Sequence, residues 1–306
     1  LGVALGLLFV MWFTSGIVMM YVPFPSLPDN ERLAFLPTVD AAAITVAPGD
    51  AMQLCGEDTR SVRVIAIGER PAYICNLTAG PVQAVYADAA QRVERLDADA
   101  ATRLVTANAA DPVDAIRLVE YDQWIVHQRF DSLRPLWRAE LLDDKGTHLY
   151  VSSRTGEIVQ RTHRTQRFMN YFGAVAHWIY PTVLRKHWAL WDQVVWYLAL
   201  FSAVCAISGV YLGVSRWVEV RRTGRGVLSR FRGWLRWHHV LGLFFGVLVV
   251  SWIVSGWLSM DHGRLFSVPT PTAEQLSALR GVSLREATGS VSTVRLSRDR
   301  KSTRLN

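Results

Sequence analysis

Of the 306 residues, half are hydrophobic, only 19% are charged and 12 are tryptophan. That composition excludes a single water-soluble globule and fits a membrane protein carrying a substantial polar domain. The formal charge of +7 invites a nucleic-acid reading, but the excess is local. Arg216, Arg221, Arg222, Arg225, Arg230, Arg232 and Arg236 crowd one short segment opposed only by Glu219. Between two apolar spans this is the signature of a cytoplasmic loop, so no nucleic-acid partner is expected. Arg185 and Lys186 sit on the other side but flank a long segment, where that rule is weak.

In chain order, residues 1–22 form the first apolar span. No small-x-small cleavage site follows it; VPFPSLP begins a turn-rich exit instead, so a retained helix is expected rather than a signal peptide. Shifting the chain by 240 positions lays this span on residues 241–261 without a gap. Leu1, Gly2, Gly6, Leu8, Val10, Trp12, Ser15, Gly16 and Met20 meet Leu241, Gly242, Gly246, Leu248, Val250, Trp252, Ser255, Gly256 and Met260. The ordered LG-x3-G-x5-W-x2-SG frame marks two copies of one helix, a common device in membrane proteins. Because the first residue is not Met, the chain reads as a fragment that has lost its N-terminal flank.

Residues 23–165 are polar and of single-domain size. Helices are predicted at 46–56 and 97–109, and strands at 63–67, 82–86, 115–120, 124–130 and 136–142. At 147–162, THLYVSSRTGEIVQRT reads as a hairpin with Gly156 at the turn position needing positive φ. Helix followed by strands occurs twice, at about 46–92 and 97–162, which predicts two related halves in one α+β domain. Cys55 and Cys75 fall in this domain, either bridged or as two unpaired small residues. Cys205 lies in an apolar span and reads as packing. His127, His148 and His163 are scattered and read as ordinary surface or partly buried residues.

Residues 166–188 alternate Arg and Gln with Phe, Tyr and Trp, as a helix in the headgroup region would, with Pro181 ending or kinking it. The second span occupies 189–215, the Arg-rich loop 216–237 and the third span 238–260, after which 261–306 starts a segment on the side of the large domain. Thr270-Pro271 before an Ala/Leu run is a helix start. The final RDRKSTRLN is patternless and reads as a non-native tail.

The chemistry rests on histidine. An ionisable side chain at the mouth of a membrane helix is a functional candidate, and neutral imidazole is an axial ligand for haem iron. His238, Gly242 and Gly246 fall at i, i+4 and i+8 on one helical stripe, imidazole above two glycines, with His239 turned away by about 100°. His177 has Gly173 one turn earlier. Such stripes suit the edge of a porphyrin better than zinc, which takes a closed tetrahedral set. The competing reading makes the histidines interfacial anchors and the glycines helix contacts. Placed at both membrane faces, with His238 on one side and His177 with His187 or His262 on the other, the set is arranged for an electron relay.

YVSSRTGEIVQRTHR, FGAVAHWIY, RKHWALWDQVV and RWHHVLGLFFGVL, in this order across 1–269, resemble the PepSY-associated transmembrane family. The resemblance implies a membrane α-helical protein, three transmembrane helices here, with an inserted α+β extracytoplasmic PepSY-like domain. It implies residence in a bacterial inner membrane, with the large domain periplasmic and membrane lipid around the spans. The family includes haem-containing reductases of ferric siderophores used in iron acquisition. His177 and His238 match its histidines best and would ligate the haem iron, with His187 and His239 as second choices; one or two haem b groups are implied. Its first-helix histidine and fourth helix are lacking here.

The expected function is therefore a haem-bearing oxidoreductase that reduces a ferric siderophore or other ferric chelate. With no GxGxxG or flavin motif, its electron donor would be a quinol or another protein. The alternative is a non-redox PepSY module that binds a peptide or partner, in peptidase inhibition or envelope regulation. An ion-coupled permease is a weaker third reading, because the charge-free runs of the spans carry no carboxylate; in the second that run is 194–215, with Asp192 flanking it.

Overall fold

The computed structural model describes residues 2–224, 228–262, 271–280 and 288. Arg225 of the basic segment, Gly263–Thr270 and the basic tail at 298–306 lie outside the described residues. The elements in order are α1 (Gly2–Tyr21), α2 (Asp29–Ala34), α3 (Pro48–Cys55), β1 (Thr59–Ile67), β2 (Arg70–Leu77), β3 (Gln83–Tyr86) and β4 (Gln91–Arg92). There follow α4 (Ala98–Asn108), β5 (Val113–Val119), β6 (Leu136–Leu141), β7 (His148–Ser152) and β8 (Ile158–Thr162). The chain continues through α5 (Arg164–Phe172), α6 (Ala174–His177), α7 (Thr182–Arg185), α8 (Trp188–Thr223), α9 (Gly233–Ser259) and α10 (Ala273–Arg280). Two compact units result: Leu1–Ser15 with Ala176–Thr270, and Gly16–Val175 with Pro271–Asn306.

The second unit holds two four-stranded antiparallel meanders, β1-β2-β3-β4 and β5-β6-β7-β8. Each follows a helix that local chemistry starts. Pro48 opens α3, and the Asp97 carboxylate accepts from the Ala100 amide to cap α4. On the first sheet Ala51 and Cys55 of α3 pack against Tyr73, Cys75 and Val85, and Cys55 is disulfide-bonded to Cys75. On the second, Val105 of α4 meets Ala139, Leu149, Val151 and Ile158. The β7–β8 turn places Gly156 at φ +69 with Leu104, Ile67 and Leu96 pressed around the site a side chain would occupy. Glycine is needed there for both conformation and space. Next to it Glu157, 1% exposed, accepts from both terminal nitrogens of Arg63 at 2.6 and 2.5 Å and from Arg32 at 3.0 Å. This ion trio, with its carboxylate buried and both arginines partly exposed, joins β1 and α2 to the hairpin.

The duplicated helix-then-strands plan is present, with two differences from the sequence reading. β2 was not foreseen, because it is buried on both faces: Tyr73 and Cys75 enter one core, Ala72 and Ile74 the other. A continuous apolar run led by Pro71 carries no alternation to read. The expected strand at 124–130 is instead a turn leading into a 3-10 helix, Gln128–Leu133. Trp124, Ile125 and Phe130 are buried there, while the Arg134 guanidinium donates to the Glu120 and Ile125 carbonyls that a strand partner would have satisfied.

In the first unit α1, α8 and α9 are each long and apolar enough to cross a membrane. Their large side chains point outward, among them Leu7, Phe201, Ile207, Phe244 and Trp252. In water that band would be an aggregation surface; facing lipid it carries no penalty. The chain is a membrane protein with a small two-sheet α+β region between its apolar helices. The repeat extends to side-chain bonding: Ser15 donates to the Trp12 carbonyl, and Ser255 to that of Trp252. Both helices flanking the Arg segment run further than expected. α8 continues to Thr223 and α9 starts at Gly233, so Arg216, Arg221, Arg222 and Arg236 lie on helix ends, and Glu219 binds Arg216 and Arg230. The expected interfacial helix at 166–188 is three short helices, α5, α6 and α7. It breaks at Gly173 and again before Pro181, where Ile179 has φ +50.

Candidate functional site

His177 closes α6 and faces α1. Its Nδ1 lies 3.1 Å from the Trp12 carbonyl and 3.1 Å from the Ser15 hydroxyl, and Ser15 is 2% exposed. A carbonyl only accepts, so Nδ1 carries the proton and donates to it. The lone pair is therefore on Nε2, the arrangement in which a histidine is held ready for a metal by a hydrogen bond behind it. Ser15 does this from the Ser-Gly pair that the helix repeat marks.

His262 is arranged in the same way. Its Nδ1 donates to Asp192 Oδ2 at 2.8 Å, and its ring stacks on Trp196 at 4.8 Å between centroids. The sequence reading passed over Asp192 as a flank of the span; 70 residues separate the pair, and no local spacing announces it. His187 is exposed at the start of α8, with no side-chain cap bond.

At the other end of α8, His239 rather than His238 turns inward. His239 is 7% exposed, donates from Nε2 to the Gly213 carbonyl at 2.9 Å, and keeps a buried Nδ1 with no partner among the described residues. Phe231 meets its ring edge-on at 5.4 Å. His238 is exposed. Of the two glycines on its stripe, a Cβ added at Gly242 would meet nothing within 4 Å outside its own helix backbone, whereas a Cβ at Gly246 would stand 2.7 Å from Val210 of α8. Gly246 is thus a helix–helix contact and not free space for a ring. At about 1.5 Å per residue, Asp192 and Gly213 stand roughly 31 Å apart along α8, close to the thickness of a hydrocarbon core. Imidazoles therefore do mark the two ends of the spans.

The donor chemistry fits haem unevenly. His177 and His262 each turn Nδ1 to an oxygen acceptor and so leave Nε2 as the nitrogen that a haem iron would use. His239 has spent its Nε2 on Gly213, and no second ligand opposes His238 among the described residues. No group of three or more His, Cys, Asp or Glu able to hold a bare metal ion occurs among the described residues.

The two-sheet unit has a charged site of its own, which sequence reading missed. A cavity of about 510 Å³ is lined by Asp114, Glu140, Asp143, Asp144, His148, Arg164 and Arg167, within the usual range for small-molecule sites. The Arg164 guanidinium lies 2.9 Å from where a Cβ of Gly146 (φ +57) would stand, so this glycine makes room for the cation. Burial, helped by the Arg167 charge, pushes the His148 imidazole down to about 4, and its Nδ1 has no partner among the described residues. Burial works against the Asp143 charge, but bonds from the Thr147 hydroxyl and amide outweigh it and hold the carboxyl below its usual range. His163, which burial also pushes down, continues that chain through Thr147 at 2.9 Å. The signals in the sequence were DDKGTH at 143–148 and HRTQR at 163–167, which the sequence reading did not combine because a whole hairpin separates them.

Set against models of known families, characterised proteins and solved structures, the chain gives no match.

Proposed function

We propose that the chain is a membrane electron-transfer protein of the PepSY-associated kind, which holds haem b among its spans and reduces a ferric siderophore or another ferric chelate outside the cytoplasm. The arginines clustered where α8 meets α9 support an orientation with that end cytoplasmic and the two-sheet region on the other side, which in the bacterial inner membrane implied by the resemblance would be the periplasm. Haem b, when bound, supplies a one-electron couple. His177 would be its ligand through Nε2, oriented by Trp12 and Ser15, with His262 as second candidate and His238 serving the cytoplasmic end. The charged cavity of the two-sheet region is of a size to hold a chelate, with Arg164 and Arg167 offered to anionic donor groups. The donor of electrons would be a quinol or a protein.

The observation that carries this reading is the His177 Nδ1 fixed on a backbone carbonyl. Purify the chain in detergent after expression with ample haem and record the spectrum. A Soret band that falls with His177→Ala and persists with His187→Ala supports it; a colourless protein rejects it.

The cavity also favours a second reading, a non-redox binding or regulatory module anchored by its helices. Under that reading Arg167→Ala abolishes function, whereas His177→Ala and His238→Ala leave it intact.

A further inference from the structure

The first unit contains a buried cation whose N–H donors find no acceptor among the described residues and which the electron-transfer reading does not employ. Arg185, the last residue of α7, is 2% exposed. Its guanidinium carbon sits 5.0 Å from the ring centroid of Tyr180, 4.5 Å from Trp188 and 4.7 Å from Trp191. Both Nε and Nη1 are buried without a hydrogen bond, and no carboxylate pairs with it among the described residues. A guanidinium cannot shed its proton to escape such a site, unlike lysine. Three rings stabilise the charge through their faces, yet they offer no acceptor to the N–H groups. A buried cation with unspent donors needs an oxyanion.

The cage is held in place from behind. The Trp191 indole N–H donates to the carbonyls of Ile179 at 2.9 Å and Trp178 at 3.2 Å. Ile179 reaches this arrangement at φ +50, a costly conformation for a β-branched residue and one that persists only where the surroundings enforce it. Tyr180 meets Trp191 at 90°. A buried guanidinium with two unbonded nitrogens, walled by fixed aromatic rings and without an acceptor among the described residues, marks a built site.

Its place in the chain identifies the oxyanion. Arg185 precedes by three residues the start of α8 at Trp188, so it stands at headgroup depth among tryptophans. Beyond it α8 exposes Leu190, Val194, Tyr197 and Phe201, an apolar band suited to the hydrocarbon core that begins just past the cation. We propose that Arg185 binds the phosphate of a membrane phospholipid.

The test uses the whole chain, stripped of lipid in a maltoside detergent that carries no phosphate. Phosphatidylglycerol, diacylglycerol with the same acyl chains, and inorganic phosphate are added separately, and thermal unfolding is followed. Phosphatidylglycerol should raise the Tm by about 2–4 °C, and neither of the other two should do so. Arg185→Lys keeps the charge but loses the planar stacking group, and it should lose at least half of the shift; Arg185→Gln should lose all of it. Because the glutamine variant can fail to fold, the wild-type comparison stands by itself. Equal shifts with diacylglycerol and phosphatidylglycerol overturn the proposal, as does a shift with inorganic phosphate that equals the lipid's, which would make this a free-anion site. Retention of the full lipid shift by Arg185→Lys also overturns it.

Discussion

Asp192 and His262 are joined by a 2.8 Å hydrogen bond from imidazole Nδ1 to carboxylate, although 70 residues lie between them. The carboxylate fixes the ring against Trp196 and leaves Nε2 as the basic nitrogen. If that nitrogen serves a metal, Asp192→Asn should weaken its binding by about 10–100-fold, the usual effect of removing the group behind a ligand. Haem titration of wild type, Asp192→Asn and His262→Ala measures this. Unchanged affinity in both variants would leave the pair a structural clasp between α8 and the end of α9.

Gly242 and Gly246 lie one turn apart in α9 yet should respond in opposite directions. An added methyl at 242 meets open space, so Gly242→Ala should gain the helix propensity of alanine, about 0.5–1 kcal/mol. At 246 the methyl would stand 2.7 Å from Val210 Cγ2, and a short branched side chain cannot swing aside. Overpacking of about 1–3 kcal/mol should outweigh the propensity gain. Thermal unfolding in detergent, measured side by side, distinguishes the two.

His148 gives the two-sheet region an acid sensitivity. Its folded value, about 4, lies below the ordinary value of 6.5 because burial disfavours the imidazolium. Between these values the unfolded chain binds the extra proton and the folded chain does not. Stability is therefore complete above about pH 6.5 and falls as the pH drops toward 4, by on the order of 2 kcal/mol. Replacing His148 with Gln should flatten that part of the profile. A denaturation midpoint that falls equally in both proteins over this window would assign the effect to other groups.

Cys55 and Cys75 close a loop with a sequence separation of 20 inside the first core. Under the chain-entropy account such a crosslink contributes about 3 kcal/mol. Unfolding of the whole chain with and without reductant should show a loss of that size. Reductant should have no such effect on a Cys55→Ala/Cys75→Ala double variant, which already lacks the bridge.

The sequence by itself determined the membrane class, the three spans, the duplicated helix and the doubled helix-then-strands plan of the inserted region. Those features are written in local periodicity, in charge runs and in turn residues such as Gly156, where each position reports on its own neighbourhood. It also placed histidines at both ends of the spans. Only the tertiary structure decided which imidazoles have a fixed Nδ1, that His239 and not His238 turns inward, and that Gly246 is taken up by Val210. The same holds for Asp192 behind His262, for the Arg185 cage and for the charged cavity. Each of these depends on partners far apart in sequence or on which side of a helix meets another. Residues one position apart differ by about 100° of rotation, and spacing alone does not say which of them the neighbouring helix will face.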